Sequence, residues 1–131
     1  MATAPSYAVT PRALCGLVPA TLDTSFTAPT NTTTLGSGGT NGTKINEIDV
    51  TPVGTTVAGL VNIFAYDGSA YHLVTRVTIG AATVNTTNAP LTQSFTYDNL
   101  VLPASTWSLR VTNTIAGNES LVTVNAFGAD F

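Results

Sequence analysis

The chain has 131 residues, enough for one domain with a core of its own and no dependence on disulfide or metal staples. Hydrophobic residues make up 44% and charged residues 8%, the latter against about 25% in ordinary soluble proteins. This excludes a disordered chain and leaves 25 Thr and 10 Asn to supply most of the surface polarity. The net charge is −3 and Arg12, Lys44, Arg76 and Arg110 are scattered, so no basic stripe exists to displace counterions from a nucleic acid.

Residues 1–20 are apolar but broken by Pro5, Pro11 and Pro19. They read as an N-terminal arm that extends as an edge strand or a tail. The start lacks the basic residues and continuous apolar run of a signal peptide, and no apolar stretch is long enough to span a membrane. The lone Cys15 excludes an internal disulfide and, among apolar neighbours, is expected to be buried. Residues 21–43 combine a first strand around Phe26 with NTTTLGSGGTNGT, a Gly- and Thr-rich linker.

The body spans 44–131. KINEIDVTP sets Ile48 and Val50 on one face and Glu47 and Asp49 on the other, a half-buried strand. VAGLVNIFAY is apolar on both faces, with Leu60, Phe64 and Tyr66 opposite Val57, Val61 and Ile63. Such a strand is central in a sandwich or sealed by another subunit. DGSA at 67–70 is a hairpin turn. YHLVTRVTI alternates, placing Tyr71, Leu73, Val77 and Ile79 inward and His72, Arg76 and Thr78 outward. A connection over 80–91 leads to a strand around Phe95 and Tyr97, a turn at Asp98-Asn99 and the short segment Leu100–Leu102. PAST then turns into WSLRVTN, where Trp107, Leu109 and Val111 share the inner face and Arg110 points away. The last strand is SLVTVNAFGADF. About eight short strands and no amphipathic helix predict an antiparallel β-sandwich of jelly-roll type. An immunoglobulin-like sandwich is the alternative, although the Cys–Trp–Cys pattern is missing.

Chemistry is hard to place. One His and one Cys exclude the usual zinc sets. His72 reads as a polar strand residue rather than a catalytic base. Glu47 and Asp49 share a face at the right spacing for paired carboxylates, yet the solvent side of any half-buried strand looks the same. Asp67 and Asp98-Asn99 read as turn residues, not calcium ligands. No catalytic residue, metal or cofactor is therefore assigned.

The stretches NGTKINEIDVTPVGTTVAGLVNIFAYDGSAYHLVTRV, YDNLVLPASTWSLRV and VNAFGADF resemble small β-sandwich virion proteins of tailed bacteriophages and prophages, over about two-thirds of the chain. The resemblance implies a structural protein, most simply a capsid decoration protein that sits as a homotrimer on the outer head surface against the major capsid protein. A tail-fibre or tail-tip module for host glycans, and a tail or head–tail joining piece, are the alternatives. Alternation and end position nominate Leu14, Leu17 and Val18 in the arm and Leu60, Phe64, Phe127 and Phe131 in the body as interface residues, with Arg110 as the strand charge facing a partner.

Overall fold

A computed structural model describes residues 7–89 and 91–131. Eight strands form, β1 (Thr10–Leu17), β2 (Thr33–Ser37), β3 (Thr43–Pro52), β4 (Gly59–Tyr66), β5 (Tyr71–Ile79), β6 (Gln93–Leu102), β7 (Ser108–Asn113) and β8 (Val122–Asp130). They make two four-stranded antiparallel sheets: sheet A in the order β1-β8-β3-β6 and sheet B in the order β2-β7-β4-β5. β1 pairs β8, β2 pairs β7, β3 pairs β6 and β4 pairs β5. The chain is thus one long hairpin, closed at the β4–β5 turn and wound into a sandwich. Among the described residues there is no helix, and so none long and apolar enough to cross a membrane.

Period-two alternation builds the core. Leu14, Ile45, Ile48, Val50, Leu102, Val122, Val124 and Ala126 come from sheet A; Leu35, Val61, Ile63, Ala65, Val77, Ile79, Leu109 and Val111 from sheet B. Trp107, Phe95, Tyr97 and Leu100 pack on its margins. Where β1 and β2 meet across the sandwich, glycines make room for leucine side chains. A methyl on Gly36 would strike Leu14, and one on Gly16 would strike Leu35.

Several expectations from the sequence need correction. Of the N-terminal arm, the part from Thr10 takes the edge-strand form of the two expected, joined to the body by pairing rather than hanging free of it. Residues 1–6 lie outside the described residues, but β1 pairs with β8 along its whole length and is an edge strand of sheet A. Its Leu14, and Val18 just beyond it, are almost completely buried. No strand forms around Phe26. Asp23 accepts hydrogen bonds from the backbone N–H groups of Ser25, Thr30 and Asn31 at 3.0, 2.7 and 2.9 Å, which turns the chain back on itself. The linker is not structureless either, because its TTLGS segment becomes β2 by pairing with β7, tertiary context overriding weak local propensity.

Two irregularities were invisible to simple alternation. Asp98-Asn99 is not a turn: β6 runs unbroken from 93 to 102, and the register against β3 jumps between Ile45–Leu100 and Glu47–Thr96. The extra residues bulge out of the ladder. In β5 a bulge at Val74 separates the Ile63–Thr75 and Phe64–Leu73 pairs. It inverts the alternation, so Tyr71 and Leu73 face outward with their partners Tyr66 and Phe64, while His72 turns back to stack on Trp107 (centroids 5.7 Å apart, 21° between planes).

Candidate functional site

The features with binding chemistry lie on the two outer sheet faces. On sheet B, β4 presents Asn62, Phe64 and Tyr66, β5 presents Tyr71, Leu73 and Arg76, and β7 presents Ser108, Arg110 and Thr112. Cross-strand pairing sets Arg76 beside Asn62 and Arg110 beside Phe64. The Arg110 guanidinium lies 4.1 Å from the Tyr66 ring centroid. Its Nε donates to Ser108 Oγ and its Nη1 to Tyr71 Oη, both at 3.0 Å. Arg76 sits 4.4 Å from the Phe26 ring centroid and donates through Nε to Asn62 Oδ1 at 3.3 Å. Cation–π stacking of this kind contributes about 0.5–1 kcal/mol at exposed sites. Here its main effect is to hold two guanidinium groups in place. Among the described residues, neither is within ion-pair distance of a carboxylate.

The loop from 18 to 32 runs against this face. Asp23 N–H donates to Asn113 O at 2.9 Å, and Phe26 sits beneath Arg76. Burial pushes the Asp23 carboxyl up, but the backbone hydrogen bonds from Asn31, Ser25 and Thr30 outweigh it and leave its pKa lowered. Phe64 is fully buried, in edge-to-face contact with Tyr71. Asn62 Nδ2 and Thr112 Oγ1 are buried nearby without partners.

The outer face of sheet A is different. Its rows run Leu17–Thr123–Thr51, Cys15–Asn125–Asp49–Ser94, Ala13–Phe127–Glu47–Thr96 and Pro11–Ala129–Lys44–Val101. It is a field of mostly small and β-branched residues, with Phe127 at its centre 41% exposed and Leu17 at its edge 43% exposed. Its charges are Glu47, Asp49 and Lys44. Asp49 Oδ1 is buried and has no donor. Cys15 belongs to this face and is exposed, not buried as expected, because Leu14 takes the inward position.

The other titratable groups serve local structure. Asp67 accepts from Ser69 and Ala70 N–H at 2.8 and 2.7 Å and meets His72 Nε2 at 2.9 Å. The Ala70 amide and then His72 draw its carboxyl down to about 2. Asp130 is held below the usual carboxylate range by the Thr43 hydroxyl and by Arg12 at 2.8 Å. Asn118 is buried with both ends of its amide on the Val57 backbone, tying the β3–β4 loop to the β7–β8 loop. A small, mostly apolar depression is lined by Pro52, Ile79, Gly80, Ala81, Ala82, Leu91 and Gln93, none of them titratable.

The nominated interface residues therefore separate. Leu14, Val18 and Phe64 are corrected: they are buried within the chain. Leu17 and Phe127 are exposed on sheet A. Leu60 and Phe131 are half-buried, with Leu60 O accepting from Thr114 and Phe131 N–H donating to Gly42 O at 3.1 Å. Arg110 is half-buried on the sheet B face, as its alternation implied. Sequence reasoning missed Arg76 and Tyr71 as its companions, since the Val74 bulge that aligns Tyr71 leaves no mark in the residue pattern. It also missed Cys15 on the opposite face.

The fold and these faces define an all-β domain of two antiparallel four-stranded sheets with two contrasting outer surfaces. A scan against protein-family models and a search of curated proteins both found no match.

Proposed function

We infer that the chain is a non-enzymatic structural protein of a phage virion, a capsid decoration protein that docks as a homotrimer on the major capsid lattice and stabilises the head. We read the nested strand order as a jelly-roll winding. The observation that carries the reading is the outer face of sheet A, an open four-stranded surface of mostly small and β-branched residues centred on an exposed Phe127, with Lys44, Glu47 and Asp49 as its charges. Such a surface suits packing against protein, where each unpaired charge costs desolvation. An array of many modest contacts then strengthens the shell through multivalency.

Co-sedimentation with expanded phage shells tests this reading. Saturable binding is expected, with a sharp loss in Phe127→Asp while the melting temperature is kept. Absence of binding, together with no density for the chain on imaged heads, overturns it.

A further inference from the structure

We propose that copies of this chain contact one another head to tail, the outer face of sheet A of one copy packing on the outer face of sheet B of the next. The inference rests on the assembly reading above and specifies its self-contact: face A is then the subunit contact of the homotrimer, and Phe127→Asp loses shell binding by dissociating the trimer.

Charge is the first argument. Arg76 and Arg110 stand on sheet B without carboxylate partners, and the hydrogen bonds of Arg110 engage Nε and Nη1 but leave Nη2 available. Glu47 and Asp49 stand on sheet A two residues apart, and Asp49 Oδ1 has no donor within the chain. An A-to-A contact would set four carboxylates against two Lys44 ammonium groups. A B-to-B contact would bring four guanidinium groups together, with, among the described residues, only the Asp23 carboxylates of the overlying loops, already engaged by backbone N–H groups, near them. Only the A-to-B contact matches two carboxylates with two guanidiniums, and like-charge juxtaposition at an interface is strongly unfavourable.

Apolar surface and area agree. Leu17, Val101 and Phe127 are exposed on face A; Leu22, Phe26 and Leu73 are exposed on or beside face B. Face A, four strands about 4.8 Å apart and about 27 Å long, offers roughly 500 Å². The centre of face B is already buried at Asn62, Phe64, Ser108 and Thr112, so the opposing surface is made by Leu73, Arg76, Arg110 and the loop carrying Leu22 and Phe26, and a contact of that size sits at the lower end for a specific one. The contact uses different surfaces on the two copies, so it is heterologous and generates a ring where its rotation closes.

The test is charge reversal with complementation, read by sedimentation equilibrium and native mass spectrometry. Glu47→Arg/Asp49→Arg makes both faces positive, and Arg76→Glu/Arg110→Glu makes both negative. Each variant alone is expected to self-associate roughly a hundred-fold more weakly than wild type. Mixed one to one, the two variants are expected to associate with each other, because a contact between unlike variants is once more opposite in sign, as are two of the three contacts in a closed trimer. Retained assembly by either variant alone, or no recovery in the mixture, overturns the proposal. If buried contacts make either variant melt early, Thr96→Arg with Glu47→Arg, and Arg76→Glu with Leu73→Asp, reverse the same faces at more exposed positions. As a second readout, Cys15 on face A should react with maleimide several-fold more slowly at assembling concentrations than on dilution. Concentration-independent labelling counts against the contact. A wild-type chain that stays monomeric yet binds shells overturns this contact and leaves the decoration reading standing.

Discussion

Leu14 and Leu17 lie three residues apart on β1, and replacing each by Ala distinguishes a core strand from an assembly arm. Leu14 is 3% exposed and Leu17 43%. Removing the Leu14 side chain deletes buried methyl groups and leaves a cavity beside Gly36, which has no side chain to fill it. A buried Leu→Ala change costs about 2–5 kcal/mol, and the poor scope for collapse here favours about 3 kcal/mol. That is a large share of the roughly 7–20 kcal/mol expected for a domain of this size. It corresponds to a melting temperature about 10 °C lower and, with a urea m-value of about 1.5 kcal/mol/M, to a midpoint shift of about 2 M. Leu17→Ala should stay within about 0.5 kcal/mol of wild type. The assay is urea unfolding followed by Trp107 fluorescence and by far-ultraviolet circular dichroism, at a protein concentration low enough to keep the chain monomeric. Equal and negligible effects at both positions, with assembly alone impaired by Leu14→Ala, would refute the placement of β1 in the core.

Gly128→Ala on β8 should destabilise by at least about 2 kcal/mol, because the new methyl would meet the main-chain carbonyl of Lys44 on the adjacent strand, which cannot rotate away; a melting temperature matching wild type would contradict the β3–β8 register. Acid sensitivity should include a contribution from Asp67, whose carboxyl is drawn from an ordinary 3.8 to about 2 by the Ala70 amide, then His72 and the Ser69 amide. The unfolded chain binds this proton more tightly than the folded one, so the contribution is complete above the unfolded value and fades as pH falls toward about 2. Comparing melting temperatures of wild type and Asp67→Asn across that window should show their difference closing, by a small amount given the exposure of the site. A pH-independent difference would point to the turn geometry alone.

What the residue pattern revealed and what it hid have one physical origin. Alternation reports which face a residue occupies as long as the ladder is regular. The regular ladders were legible for that reason: β3, β4 and β7 lie close to where hydrophobic periodicity and the flanking turn residues placed them. The DGSA hairpin was equally plain, with Gly68 at positive φ. A bulge shifts the phase by a residue without altering composition, so Tyr71, His72 and Leu73 were each assigned to the wrong face. Burial on an outer face is invisible for a different reason. Phe64 was correctly set opposite Val61 and Ile63, but its neighbours on that face are Tyr71 of β5 and Arg110 of β7. Such coverage comes from distant segments, and no local window contains it. Leu14 was misread on the same principle. Pro11 suggested an edge, and β1 is an edge, yet an edge strand still turns one side inward, and Leu14 lies on that side. The arginine pair on sheet B exists only once the Val74 bulge has brought Tyr71 under Arg110 and the loop has laid Phe26 against Arg76. The contrast between the two faces, on which assembly would depend, is therefore a property of the folded chain that no short stretch of it displays.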